Sequence, residues 1–245
     1  MTGVRIRVVE DADQLTQTGA DLIAEAITTT PTASVVAATG RSPMGLYAEL
    51  AVRRRSGLVD TTGITAFLLD EYLGLVQNDP RSLFGWLRRS FIEPLGVAGD
   101  RVVRLPLDGD LREACAAFDR ALVARGGLDL AILGLGTNGH IGFNEPPSTR
   151  EAPTRVVTLS PATLQANSRY WGDAADVPTE AVTMGMGHLL SARAIVMVVC
   201  GESKRAIVHR ALEGPVEAAL PASFLQEADS DVTVIVDRAA WGAAT

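Results

Sequence analysis

Runs of apolar residues that do not alternate with polar ones constrain this chain most. They occupy residues 35–38, 64–69, 128–133 and 194–200. A strand with one wet face alternates apolar and polar side chains, so a run without alternation marks a strand covered on both faces. Helical patterns separate these runs. Leu15, Leu22, Ile23, Ala26 and Ile27 fall on one helical face, and residues 81–92, 111–125 and 203–212 read as further helices. A short first strand is expected at 6–9 and a last one at 232–236, and Gly214-Pro215 ends the helix before it. Strands interleaved with helices predict an α/β fold, a largely parallel sheet with helices on both faces. At 245 residues, with no repeat or linker, the chain is expected to form a single domain.

Composition narrows the function. A net charge of −7 argues against electrostatic capture of nucleic acid, and the basic runs Arg53-Arg54-Arg55 and Arg88-Arg89 read as solvated helix faces. The apolar runs are of strand length, so no membrane span is expected. Residues 1–10 lack the apolar stretch of a signal peptide. The only cysteines, Cys115 and Cys200, have no metal-ligand spacing and read as reduced thiols of a cytoplasmic protein.

In a parallel sheet, ligands bind beyond the carboxyl ends of the strands. Four loops occupy that place in sequence, at 39–42, 70–72, 137–145 and 201–204. The first, Thr39-Gly40-Arg41-Ser42, precedes Pro43 and a helix, with Ser42 expected as N-cap; helix N-terminal N–H groups suit a phosphate. Lys204 stands in the first turn of a later helix, where a cation opposes the helix dipole unless an anion is bound. Asp70 ends a strand, where a carboxylate can remove a substrate proton; the alternative is that Asp70 or Glu71 caps a helix or turn. The stretch Gly134-Leu135-Gly136-Thr137-Asn138-Gly139-His140-Ile141-Gly142-Phe143-Asn144-Glu145-Pro146 presents a histidine and a carboxylate on one glycine-framed loop, suited to proton transfer near neutral pH. His188 and His209 lie in helical contexts and read as structural, and Met184 and Met186 as core filling.

Together these motifs resemble the glucosamine-6-phosphate deaminase (isomerase) family through nearly the whole chain. Thr39-Gly40-Arg41-Ser42-Pro43, Phe67-Leu68-Leu69-Asp70-Glu71-Tyr72 and the His140 loop carry the resemblance. It continues through Ala166-Asn167-Ser168-Arg169, Val182-Thr183-Met184-Gly185-Met186-Gly187, Gly201-Glu202-Ser203-Lys204 and Glu213-Gly214. The resemblance implies a Rossmann-like α/β fold and a reaction without metal or cofactor: glucosamine 6-phosphate and water give fructose 6-phosphate and ammonium. It implies that Asp70 moves a proton from C2 to C1. His140 would assist ring opening, with Asn138 orienting it and Glu145 supporting it. Thr39, Gly40, Arg41, Ser42, Arg169 and Lys204 would hold the phosphate. Residues 150–182, which hold Pro153 and Pro178 and no strong apolar strand, are expected to form a lid.

The chain departs from the family pattern at several positions. Asn138 stands where many members have Asp, so Glu145 would carry the charge that favours an imidazolium. Arg41 stands where a small residue is usual, and Leu83 where Tyr is frequent. Val157 replaces a lysine that long hexameric members use for an allosteric ligand, and Arg155 matches only part of that pocket. With the chain ending soon after Trp241, no amino-sugar activation is expected, and a monomer or small homo-oligomer is. Other readings are a galactosamine-6-phosphate deaminase/isomerase, a 6-phosphogluconolactonase and a sugar-phosphate-sensing regulatory domain. The lactonases usually have Arg in place of Tyr72 and Ser-Leu-Phe-Pro in place of residues 143–146. The sensors carry a helical DNA-binding module before this domain, and with a first strand near residue 5 none is expected here.

Overall fold

The computed structural model describes residues 3–76 and 79–242. Its strands are β1 (Arg5–Val9), β2 (Ser34–Ala37), β3 (Thr65–Leu68), β4 (Asp70–Tyr72), β5 (Val102–Val103), β6 (Leu130–Gly134), β7 (Arg155–Thr158), β8 (Glu180–Thr183), β9 (Ala194–Val199) and β10 (Asp231–Asp237). Its α-helices are α1 (Ala12–Thr29), α2 (Met44–Arg55), α3 (Leu83–Leu87), α4 (Leu111–Ala124), α5 (Pro161–Trp171), α6 (Met186–Leu190), α7 (Arg205–Glu213) and α8 (Arg238–Trp241). None of these helices is long and apolar enough to cross a membrane.

A seven-stranded sheet runs β1-β10-β9-β6-β2-β3-β5, and each of its pairings is parallel. Successive residues of one strand enter opposite cores. Val35, Ala37, Leu130, Ile132, Val196 and Val198 face α1 and α2. Val36, Ala131, Leu133, Ile195, Met197 and Val199 face α6, α7 and the turn Pro221–Glu227. Both faces are apolar, which is why the strands lack alternation. Met184 and Met186 are fully buried, as expected of core filling.

Order and direction place the site. β9, β6, β2 and β3 are consecutive in the sheet, so their carboxyl ends form one continuous edge. After β3 the chain passes through Leu69 into β4 of a second, three-stranded antiparallel sheet, β4-β8-β7. Asp70 pairs with Thr183, and the Met184 N–H donates to the Leu69 carbonyl at 2.8 Å, joining the two sheets.

Several expectations are corrected. Residues 70–72 form strand β4 and not a loop, because β8 pairs with it from more than a hundred positions downstream. Residues 150–182 hold β7, α5 and most of β8, and β7, alternately half-buried and exposed along its length, is not a strong apolar strand, as expected. Ser42 does not cap α2, which begins at Met44 without a side-chain cap. The helix expected from Arg81 starts at Leu83 and turns π-helical over Arg88–Ile92. Arg53 is not solvated: it bonds Glu49 at 2.9 Å and Asp21 at 2.6 Å.

Candidate active site

The loops beyond β2, β6 and β9, together with β4 and α5, enclose a cleft of about 490 Å³. Asp70, His140, Arg169 and Lys204 line it, as do Thr39, Gly40, Arg41 and Ser42. Asn138 and Glu145 do not line it; the first contacts His140 and the second the start of α5.

Glycine shapes the histidine loop at two positions. A Cβ on Gly136 would lie 2.3 Å from the His140 ring, so the ring rests on bare backbone. Gly139 has φ +82°, and a Cβ there would meet Leu220 at 2.1 Å. Asn138 Oδ1 accepts the His140 amide N–H at 3.3 Å and sits 2.6 Å from Nδ1 of the ring. The amide is a donor, so that atom of Asn138 acts as an acceptor and Nδ1 carries the ring proton. Nε2 keeps its lone pair for the cleft. Burial pushes the His140 pKa down to about 4; the Glu145 charge opposes this and Lys204 adds to it. The imidazole is therefore neutral at physiological pH, with the Nε2 lone pair free to accept a proton.

Glu145 makes no hydrogen bond to His140 among the described residues. Its carboxylate accepts the Ser160 N–H at 3.2 and 3.3 Å, at the start of α5. Its effect on His140 acts through space. Arg155, on β7, holds the segment around Glu145: its guanidinium bonds Asn144 Oδ1 at 2.8 Å and Ser148 Oγ at 3.0 Å. Ser148 Oγ in turn donates to the Glu145 carbonyl at 2.6 Å.

Asp70 and Glu71 alternate across β4 and meet different fates. Glu71 accepts the N–H groups of Tyr72 at 2.9 Å, Leu83 at 2.9 Å and Phe84 at 2.8 Å, so it caps α3 from outside the helix. This is the capping role considered for the acidic pair. Among the described residues nothing donates to the Asp70 carboxylate. Burial, reinforced by the Glu71 charge, raises its pKa to about 7. A carboxylate with that pKa is a stronger base than an ordinary one and is still ionised in part at neutral pH.

The other end of the cleft is cationic. The Lys204 ammonium donates to the Leu135 carbonyl at 2.7 Å. Burial, and repulsion from Arg169, hold its pKa below the usual lysine range. Arg169 stacks over Tyr170 at 4.7 Å, and neither cation has an acidic partner among the described residues. The uncapped N-terminus of α2 faces the same space, with Ser42 Oγ 3.5 Å from Cys200 Sγ. Two cations and a helix start without a side-chain cap in one pocket are chemically suited to an anion. A groove of about 420 Å³ at the opposite end of the strands differs in this respect: Arg5 pairs with Asp231, and Arg193 with Asp129 at 2.8 Å.

His188 bonds Asp119 at 2.9 Å and His209 bonds Glu213 at 2.8 Å, both away from the cleft. Leu83, Trp86 and Tyr170 line the cleft. Trp86 and Tyr170 carried no motif signal; only the edge-to-face packing of their rings, centroids 5.0 Å apart, brings them together.

Known proteins resemble this chain in sequence and in fold. Residues 9–234 match the family model described as glucosamine-6-phosphate isomerases/6-phosphogluconolactonase. A glucosamine-6-phosphate deaminase of Streptomyces coelicolor is 42% identical, over 97% of this chain and 91% of that protein. One from Rhodococcus jostii is 38% identical over the same shares. A solved structure described as a monomeric glucosamine-6-phosphate deaminase superposes with TM-score 0.92 at 35% identity, covering 96% of this chain and 98% of that one. A 6-phosphogluconolactonase from Trypanosoma cruzi has TM-score 0.78 at 18% identity, covering 98% and 96%, and shares the fold. By sequence along almost its whole length and by fold, the chain belongs to the family of glucosamine-6-phosphate isomerases and 6-phosphogluconolactonases.

Proposed function

We propose that this protein converts glucosamine 6-phosphate and water to fructose 6-phosphate and ammonium. The observation that carries the reading is Asp70, a carboxylate to which none of the described residues donates, in a cleft whose far end holds Lys204 and Arg169, neither with an acidic partner among those residues. The 33–42% identity to glucosamine-6-phosphate deaminases supports it. The phosphate binds at Lys204, Arg169 and the start of α2, which fixes one end of a flexible sugar and makes the proton transfers intramolecular.

The steps follow from the groups present. His140 Nε2 takes the proton from the anomeric hydroxyl and returns it to the ring oxygen as the C1–O5 bond breaks. Asp70 then takes the C2 proton; those electrons form a C1=C2 bond, and O1 takes a proton from the sugar ammonium. Asp70 returns its proton to C1 while the nitrogen lone pair forms C2=N. Water adds at C2 and ammonium leaves, giving the ketone. The unpaired Cys115 and Cys200 suit a cytoplasmic setting.

Product analysis tests this. Glucosamine 6-phosphate, galactosamine 6-phosphate and 6-phosphogluconolactone are incubated in parallel, and ammonium, ketose phosphate and acid are measured. The reading expects ammonium and fructose 6-phosphate from the first. Acid release from the lactone alone would replace deamination with lactone hydrolysis.

A further inference from the structure

Tyr72 holds a hydrogen-bond donor for which the described residues supply no acceptor. It lies two residues from Asp70 on β4, and strand side chains two apart share a face. Both line the cleft. The Tyr72 ring is buried, fixed by Phe143 and edge to face by Trp171, each with centroids 5.3 Å away. Its oxygen accepts Nδ2–H of Asn167, on α5, at 2.9 Å. The amide nitrogen can only donate, so the phenol's own proton points elsewhere. Among the described residues no acceptor takes it. Burial, with the Asp70 charge next in effect, raises the phenol's pKa, so the proton stays in place.

We propose that Tyr72 is a substrate-binding residue whose hydroxyl, directed by Asn167, donates to a sugar oxygen or nitrogen beside the carbon that Asp70 deprotonates. Asn167 is the positioning residue. The inference rests on the reading of Asp70 as the C2 base. When the C2 proton leaves, negative charge develops on O1, and a donor beside it gains strength as the transition state is approached. The donor must also be uncharged. A cation at position 72 would stabilise ionised Asp70 and weaken it as a base, whereas a phenol adds a hydrogen bond and no charge.

Tyr72→Phe and Asn167→Asp test this in the full chain. The first keeps the ring and removes the proton. The second keeps shape but reverses the hydrogen bond: a carboxylate accepts the phenolic proton and withdraws it from the cleft. Each is expected to lower kcat on glucosamine 6-phosphate roughly three- to tenfold, the value of one neutral hydrogen bond. The double variant is expected to lose no more than either single one, since both remove the same donor. If the Tyr72–Asn167 contact were only a tether between β4 and α5, Asn167→Asp would preserve it and alter KM alone, through its added charge near the phosphate. An unchanged kcat in either variant, or losses that add in the double variant, overturns the proposal. Asp70→Asn is assayed beside them. Turnover in that variant removes the underlying reading, while an inactive Asp70→Asn beside a fully active Tyr72→Phe removes only the role of Tyr72.

Discussion

Asn138 and His140 are joined twice, with one side-chain oxygen of Asn138 meeting both the amide N–H and ring Nδ1 of His140. This arrangement selects the tautomer and directs the free lone pair at Nε2 into the cleft, without adding a charge. The ring remains neutral because burial outweighs the charge of the Glu145 carboxylate.

Replacing Asn138 separates orientation from charge. Asn138→Ala frees the ring to rotate or change tautomer, and kcat is expected to fall about tenfold, one hydrogen bond's worth. Asn138→Asp keeps the contact and adds a negative charge, so the His140 pKa is expected to rise from about 4 by ~1–3 units. A histidine NMR titration reads that shift directly, and a value that stays put refutes the pairing.

Asp70→Asn is expected to lower kcat by on the order of 10²-fold or more, because an amide cannot take the C2 proton. The same variant is expected to be more stable than the native protein at pH 8. The folded pKa of about 7 lies above the unfolded value of 3.8, so the folded state holds a proton that the unfolded state has lost between those limits. Native stability therefore falls as pH rises through that window, by ~4 kcal/mol at most, and the variant escapes this fall. Thermal unfolding at pH 4 and pH 8 measures the difference; equal Tm shifts at both would deny the buried charge. Activity of the native enzyme is expected to fall below about pH 7 as Asp70 takes up a proton, before His140 titrates.

Lys204→Ala and Arg169→Ala are expected to raise KM with smaller changes in kcat. A charge-assisted bond to phosphate contributes ~1.5–3 kcal/mol, or about 10- to 150-fold in affinity. Both variants should also lose inhibition by inorganic phosphate. Native KM and native phosphate inhibition in both would move the anion site elsewhere.

Residues 150–182 are proposed as a lid, with α5 as its moving part. That helix carries Arg169 and Asn167 toward the cleft and is tied at its start to Glu145 through the Ser160 N–H. Hydrogen exchange in α5 is expected to slow when a non-reacting sugar phosphate is bound, while β7 and β8, paired to each other, change little. Equal exchange in α5 with and without ligand would leave the segment a fixed wall.

The sequence by itself determined the parallel sheet, because strands covered on both faces have no polar side to show, and Val35 and Val36 enter opposite cores. It determined the His140 loop as well, since a ring resting on Gly136 and a turn at Gly139 demand glycine locally. Tertiary structure alone decided the rest. Residues 70–72 read as a loop because the strand that pairs with them, β8, is remote in sequence. Ser42 read as a cap because the pattern fits one, yet the fold leaves the start of α2 open to the cleft. Asp70 and Glu71 are adjacent carboxylates that sequence does not tell apart. Pairing of β4 turns one onto the N–H groups of α3 and leaves the other with no donor among the described residues, and that difference in environment separates a helix cap from the proposed base.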